Sequence, residues 1–258
     1  MNESKLREEG ARAVNMDGMD SGAMDMGAME PMIPTWLTAI SWIFVGVAVL
    51  CAVAILYDVY GRGYRQRNRA MEAVWPITAL YLGPLGLWAY NRWGRPRSDR
   101  WQKEHGAPPL KSLPAAAATG GTPGGAASAI GHVIGVPLVV FSGLAIAGEP
   151  LWVMILLIAV IATLLLFAFE YFFSTVPARG LRRSGKGLGV ALTIAVVTVL
   201  AFDVGMGGWM LVMHFLLFMP PLTDVTFLFL MQIGLILGFL TGYPAVLWLV
   251  RRGVKTAA

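Results

Sequence analysis

The chain is dominated by long runs of apolar residues that are separated by short polar connectors. The runs cover residues 36–57, 74–93, 127–148, 151–174, 187–219 and 225–250. A helix needs about 20 apolar residues to cross a bilayer, and each run is long enough to supply them. Of the 258 residues, 57% are hydrophobic and only 14% are charged, whereas about a quarter are charged in a typical soluble domain. The sequence therefore predicts an all-α, polytopic membrane helix bundle.

The second run, residues 74–93, is the ambiguous one. It contains Pro76, Pro84 and two glycines, and arginines flank it on both sides. It either crosses the membrane or forms a kinked, re-entrant element, because broken backbone at membrane depth is tolerated where protein surrounds it. We predict five or six spanning segments and favour the non-crossing version.

The charges of the connectors predict an orientation. Residues 61–73, 92–125, 175–186 and 251–258 are basic, whereas the connectors around Glu149 and at 220–224 contain no Lys or Arg. Cytoplasmic loops carry an excess of Lys and Arg. We therefore expect a bacterial inner-membrane protein with a cytoplasmic C-terminus. Its N-terminus is periplasmic or extracellular with five spans, and cytoplasmic with six.

The N-terminal tail, residues 1–35, is rich in methionine and acidic residues, and its residues 15–32 contain no Leu, Ile, Val or Phe with which to form a core. Its composition predicts disorder. Its candidate thioether ligands are Met16, Met19, Met24, Met26, Met29 and Met32. Residues 106–125 are rich in Ala, Pro and Gly, and we interpret them as a low-complexity linker within the membrane domain, 36–258.

The fifth run contains a stripe of polar and sulfur-containing residues. At helical spacing, Asp203, Met206, Met210, Met213 and His214 share an arc of about 100°. Thioether and imidazole groups suit copper, Cu(I) in particular, whereas carboxylates suit harder ions or protons. The stripe therefore predicts a metal site, with Met231 of the sixth run near the same depth, although methionines on a helix face also fill cores.

Other polar groups within the apolar runs are functional candidates, because an ionisable group at mid-membrane is costly. His132 is a further candidate metal ligand, and Gln232 is the main intramembrane amide. Glu170 either pairs with Arg179 or Arg182 or forms a proton or cation site. A separate stripe of small residues, Gly234, Gly238 and Gly242, predicts close helix packing.

Several classes of protein are excluded by the sequence. The single cysteine, Cys51, rules out an intramolecular disulfide and a multi-cysteine zinc site. Residues 180–187, GLRRSGKG, mimic a phosphate-binding loop, but Gly187 replaces the Ser or Thr that ligates magnesium, and no strand precedes the loop. We expect no nucleic-acid partner, and an enzyme is the weakest option.

Four stretches resemble a bacterial membrane-protein family described as a domain of unknown function (number 4396). They are WPITALYLGPLGLWAYNRWGR (75–95), FEYFFSTVPARGL (169–181), FDVGMGGWM (202–210) and GFLTGYPAVLWLVRRGVK (238–255). The resemblance implies a multi-pass membrane protein. Some members are similar in having Met/His-rich N-termini and are labelled as copper proteins. Members tend to carry Cys-Thr-Leu-Gly-Asp where this chain has Ser128 to His132, so any role of that thiol is lost here.

Together these features favour a membrane protein that binds or moves a soft metal ion, with copper as its cofactor or cargo. Two alternatives remain open. One is a metal-independent transporter or proton-coupled channel that uses Glu170 and Asp203. The other is an assembly or scaffold protein whose glycine stripe binds a partner helix, or a second copy of the chain in a homo-oligomer. In each case the lipid bilayer surrounds the chain.

Overall fold

A computed structural model describes residues 33–108, 110–181, 185–216 and 219–256. Contacts separate Met1–Pro34 from Thr35–Ala258, and the described helices all belong to the second unit. Within the described residues, five helices are long and apolar enough to cross a membrane. They are Thr35–Gly61, Leu113–Ser142, Pro150–Ala178, Gly187–Phe215 and Val225–Arg251. The predicted all-α membrane bundle is confirmed.

The helices follow one another with short connectors. They are α1 (Thr35–Leu56), α2 (Met71–Leu82), α3 (Pro84–Ala89), α4 (Asp99–His105), α5 (Leu113–Ser142), α6 (Pro150–Phe172), α7 (Thr175–Ala178), α8 (Gly187–Phe215) and α9 (Val225–Arg251). A π-helical turn, Tyr57–Gly61, extends α1. Large apolar side chains such as Phe141 and Val204 are exposed on the outside of the bundle, where a spanning helix meets lipid.

Helices α2 and α3 form a re-entrant hairpin rather than a span. Twelve residues of α2 extend only about 18 Å, less than the bilayer core. Gly83 turns the chain with φ +55°, and a Cβ on Gly86 would lie 2.8 Å from Ala79 Cα, so α3 packs directly on α2. A Cβ on Gly94 would lie 2.6 Å from Trp75 Cε2, so the chain returns to the level where α2 began. This geometry agrees with the non-crossing prediction.

The predicted linker at 106–125 is wrong from residue 113 onward, because α5 begins at Leu113. Ser112 caps this helix by accepting a hydrogen bond from Ala115 N at 3.4 Å. The Ala- and Gly-rich stretch is buried, and a Cβ on Gly124 would lie 2.9 Å from Thr198 Cγ2 of α8. Small residues let membrane helices approach closely, so this composition belongs to a tightly packed helix.

Helix α8 of the same chain packs against the glycine stripe of α9. A Cβ on Gly234 would lie 2.7 Å from Trp209 Cδ1, and one on Gly238 would overlap the Phe202 ring. Gly242 lies more loosely, with 3.7 Å from its Cβ position to Phe202 Cα. Because α8 occupies this face, the stripe is not open to a partner helix.

The two ends of the bundle differ in charge. One end, which we call the basic face, consists of residues 57–70, 90–108, 110–112, 173–181, 185–186 and 252–256, and the α2–α3 hairpin extends from it into the bundle. Its segments contact one another: Asn68 Nδ2 donates to Phe173 O at 2.8 Å, and Arg179 Nη1 donates to Val254 O at 3.0 Å. The other end consists of residues 143–149 and 216–224, and within its described residues it has no Lys or Arg.

Candidate functional site

A cavity of about 480 Å³ lies between α5, α6, α8 and α9 near the end opposite the basic face. We call it the methionine cavity, because four thioethers and one imidazole line it together with apolar side chains. These five residues are Met154, Met210, Met219, Met231 and His214. Thioether and imidazole are soft ligands, so the cavity offers a donor set suited to a soft cation.

The predicted stripe of α8 divides between this cavity and the core. Met210 and His214 are one turn apart and both line the cavity. Met206 and Met213 are buried without lining it, and Met206 packs against Gly234 of α9. Asp203 lies further along α8, half-buried, and makes no hydrogen bond or ion pair with any described residue. The structure thus brings together two of the five predicted residues.

His214 lies where the cavity meets the polar end of the bundle. Its Nε2 is 3.2 Å from Glu149 Oε2, and the two side chains are 27% and 45% exposed. Glu149 immediately precedes α6, whose first turn also lines the cavity. An acidic group therefore stands beside the imidazole on the solvent side, where it favours an approaching cation.

His132 lines a second cavity of about 400 Å³, which shares Met231 with the methionine cavity. Its Nδ1 lies 2.8 Å from Ser128 O. A carbonyl oxygen can only accept, so Nδ1 carries the proton and Nε2 keeps its lone pair. That Nε2 is buried and has no hydrogen-bond partner among the described residues. A metal-ligating histidine has the same arrangement, with one nitrogen bound to a carbonyl and the other free for the ion.

Gln232 also lines this second cavity, and it stabilises the re-entrant hairpin. Its Nε2 donates to Leu80 O at 2.6 Å. The last carbonyls of a helix have no partner within the helix, so this bond satisfies one of them at membrane depth. We assign Gln232 this structural contact.

Glu170 lies at the basic face and is fully buried, far along α6 from the methionine cavity. Its Oε1 accepts a hydrogen bond from Lys255 Nζ, and its Oε2 accepts one from Thr175 N at 3.3 Å. The expected partner Arg179 instead bonds Val254 O, and Arg182 lies outside the described residues. The prediction of Arg179 as partner is therefore wrong, because the segment after α9 folds back over α6 and α7.

Sequence reasoning missed two of the thioethers, Met154 and Met219. Met154 is in the first turns of α6 and Met219 lies in the connector between α8 and α9. Met154 is the one methionine of its apolar run, and Met219 ends the fifth run about 160° from Asp203 at helical spacing, so it lies off the stripe. Only the packing of four segments brings them together. The tail methionines Met16 to Met32 lie outside the described residues. Among the described residues, no three His, Cys, Asp or Glu side chains are close enough to hold a metal ion.

These features define a polytopic helical membrane protein with a thioether-lined cavity between its spans. The chain belongs to the family described as a domain of unknown function (DUF4396), whose model matches residues 115–255. The match covers α5 to α9 and therefore includes every residue named above as lining the methionine cavity, together with the Glu170–Lys255 pair. No curated protein and no solved structure matches the chain.

Proposed function

We propose that this protein binds Cu(I) in the methionine cavity and moves it within the inner membrane of a bacterium. The observation that carries the proposal is the convergence of Met154, Met210, Met219, Met231 and His214 on one cavity. Neutral thioethers bind a soft monovalent cation with little competition from Mg²⁺ or Ca²⁺, which need oxygen ligands.

The neighbouring groups support a path for the ion. Glu149 beside His214 attracts the cation at the mouth of the cavity. Met231 lines both cavities, and beyond it the free Nε2 of His132 offers the next nitrogen ligand. A metal ion that leaves the thioethers would therefore next bind the imidazole of His132, which lies deeper in the membrane.

The topology supports a role for the Met-rich tail. With five spans, α1 begins at the end of the bundle where the methionine cavity lies, because it ends at the basic face. The basic face is cytoplasmic by its excess of Lys and Arg, and so is the C-terminus. In this proposal the tail lies in the periplasm, collects Cu(I) weakly through its thioethers, and supplies the methionine cavity.

Anaerobic competition between the full-length protein and a Cu(I) chelator tests the proposal. Met210→Leu and Met231→Leu each remove a thioether from the cavity at nearly constant volume, and we expect each to weaken Cu(I) binding at least tenfold. Met213→Leu is the matched control, because Met213 is equally buried on the same helix but does not line the cavity. Unchanged affinity in the first two variants, or an equal loss in the control, would refute the site.

Deletion of residues 15–32 is a separate arm of this experiment. We expect it to reduce the number of Cu(I) ions bound without changing the affinity of the cavity. A reporter fused to the N-terminus shows on which side of the membrane the tail lies. A cytoplasmic signal would contradict the proposed topology and would leave the proposal for the methionine cavity unaffected.

A second candidate function is favoured by Asp203, which is half-buried within a span and has no partner among the described residues. A carboxyl group in that position is suited to carry protons through a metal-independent transporter. This alternative predicts that Asp203→Asn abolishes proton-coupled flux in vesicles while Met210→Leu leaves it unchanged. The copper proposal predicts instead that Met210→Leu impairs the function of the protein, whereas Asp203→Asn leaves it unchanged.

A further inference from the structure

The basic face contains a cavity of about 380 Å³ that plays no part in the copper proposal. Its lining comes from the loop after α1 and the start of α2, from the α3–α4 connection and α4, and from the connector before α5 and the start of α5. The α6–α7 connection, α7 and the segment after α9 complete it. Its volume is within the range of small-molecule sites, about 300–1,000 Å³. We call it the basic-face cavity.

Among the described residues, three cationic side chains and no carboxylate line the basic-face cavity. They are Arg67, Arg97 and Lys111. Arg97 is half-buried, yet neither it nor Arg67 makes a hydrogen bond or ion pair with any described residue. Lys111 Nζ donates to Thr119 Oγ1 at 2.9 Å. A half-buried guanidinium without an acceptor is costly, so an anion would stabilise this arrangement.

The nearby carboxylates already form ion pairs with other Arg and Lys side chains. Asp58 pairs with Arg62 and Arg95, Glu72 with Arg65 and Arg69, Glu104 with Arg100, and Glu170 with Lys255. Asp99 is exposed at the start of α4 and does not line the cavity. None of these carboxylates therefore pairs with Arg67 or Arg97, and the two guanidinium groups are left for a ligand from outside the described chain.

The electrostatics of these cations agree with the geometry. Burial, reinforced by the nearby charge of Arg97, lowers the pKa of the Lys111 ammonium to about 7. Burial also lowers the pKa of the Arg97 guanidinium. Both shifts agree with the partial burial of these two groups, where water solvates a positive charge poorly.

We propose that the basic-face cavity binds a phosphate group, through Arg97 and Arg67 with Lys111 beside them. A guanidinium matches phosphate with two parallel N–H donors. The phosphate could belong to an anionic lipid headgroup, since the apolar, half-exposed Phe173 at the cavity edge offers a surface for an acyl chain, or to a small phosphate compound in solution. Basic pockets between membrane helices on the cytoplasmic side bind such headgroups.

Native mass spectrometry of the full-length protein in neutral detergent tests the proposal with two probes. One is phosphatidylglycerol, with phosphatidylcholine as the zwitterionic comparison, and the other is inorganic phosphate, measured by calorimetry. We expect wild type to retain phosphatidylglycerol, or to bind phosphate, and Arg97→Gln and Arg67→Gln each to reduce that binding about tenfold. Binding of the lipid but not of phosphate identifies a headgroup site, and the reverse identifies a soluble ligand.

The matched control is Arg92→Gln. Arg92 is exposed on the same face and carries the same charge, but it does not line the cavity. An equal loss in Arg92→Gln would show a diffuse surface charge and would overturn the proposal. So would the failure of both probes to bind wild type, or unchanged binding in Arg97→Gln and Arg67→Gln. Arg97→Lys guards against misfolding, because it keeps the charge and should restore part of the binding.

Discussion

Replacement of Lys255 by methionine tests the buried ion pair that fastens the segment after α9 to α6. The lysine side chain is 1% exposed and that of Glu170 is 0% exposed. Methionine preserves most of the lysine stem, which lies against Gly120, where a Cβ would be 3.3 Å from Lys255 Cε. The substitution therefore removes the charge and leaves the packing largely intact.

The expected loss of stability follows from what remains around Glu170. Removing one partner of a buried pair costs about 3–5 kcal/mol, because the other charge is left uncompensated. Among the described residues, Thr175 alone still contacts the Glu170 carboxylate, with its backbone N–H donating at 3.3 Å, and such a hydrogen bond contributes about 1 kcal/mol. We expect Lys255→Met to lower the free energy of unfolding by about 3 kcal/mol, which is a fall in Tm of roughly 6–12 °C.

The assay is thermal and denaturant-induced unfolding in detergent, run as a double-mutant cycle with Glu170→Gln. The double variant removes both charges, so it should lie within about 1 kcal/mol of wild type. Lys186→Met is the control, because Lys186 is exposed on the same face. The coupling is refuted if Lys255→Met lowers the free energy of unfolding no more than Lys186→Met does. It is also refuted if the loss in the double variant equals the sum of the losses in the two single variants.

Two further predictions concern helix packing and pH. Gly238→Ala should destabilise the protein by about 1–3 kcal/mol, because the new Cβ would overlap the ring of Phe202. Gly242→Ala, on the same face at 3.7 Å from Phe202 Cα, should be neutral or stabilising by thermal unfolding. Burial raises the pKa of Glu72, but hydrogen bonds and charge from Arg65 outweigh it and hold the pKa below 4.5. The unfolded state then binds more protons, so stability falls as pH drops below 4.5, and Glu72→Gln should flatten that decline.

The spanning helices were predictable because each buries one face in protein and exposes the rest to lipid, which leaves long apolar runs in the sequence. The hairpin was also visible, since Pro84 and Gly83 within an apolar run signal broken backbone. The start of α5 was misread for a physical reason. Ala and Gly mark a flexible linker in water but a closely packed helix in a bilayer, and composition alone does not distinguish the two settings.

The candidate sites were predictable only in part. Helical spacing placed Met210 and His214 on one face, but periodicity could not show which neighbours α8 would meet. Met154 joins them from α6 through tertiary packing alone. Likewise, the partner of Glu170 was sought among nearby arginines, whereas Lys255 reaches it from 85 residues away along the chain.

The tight packing of α5 has a consequence for how the protein is made. Its span has a mean hydropathy of 1.7, the lowest among the five candidate spans, and the largest share of residues buried inside the protein. Such a segment gains little from lipid alone when it leaves the translocon. Tyr81 of α2 covers Gly125, but the other contacts on its glycines come from α6 at Gly131 and Gly135, from α8 at Gly124 and from α9 at Gly121, and these helices are synthesised after α5. Biogenesis must therefore hold a marginal segment near the insertion machinery until the helices that complete it emerge from the ribosome.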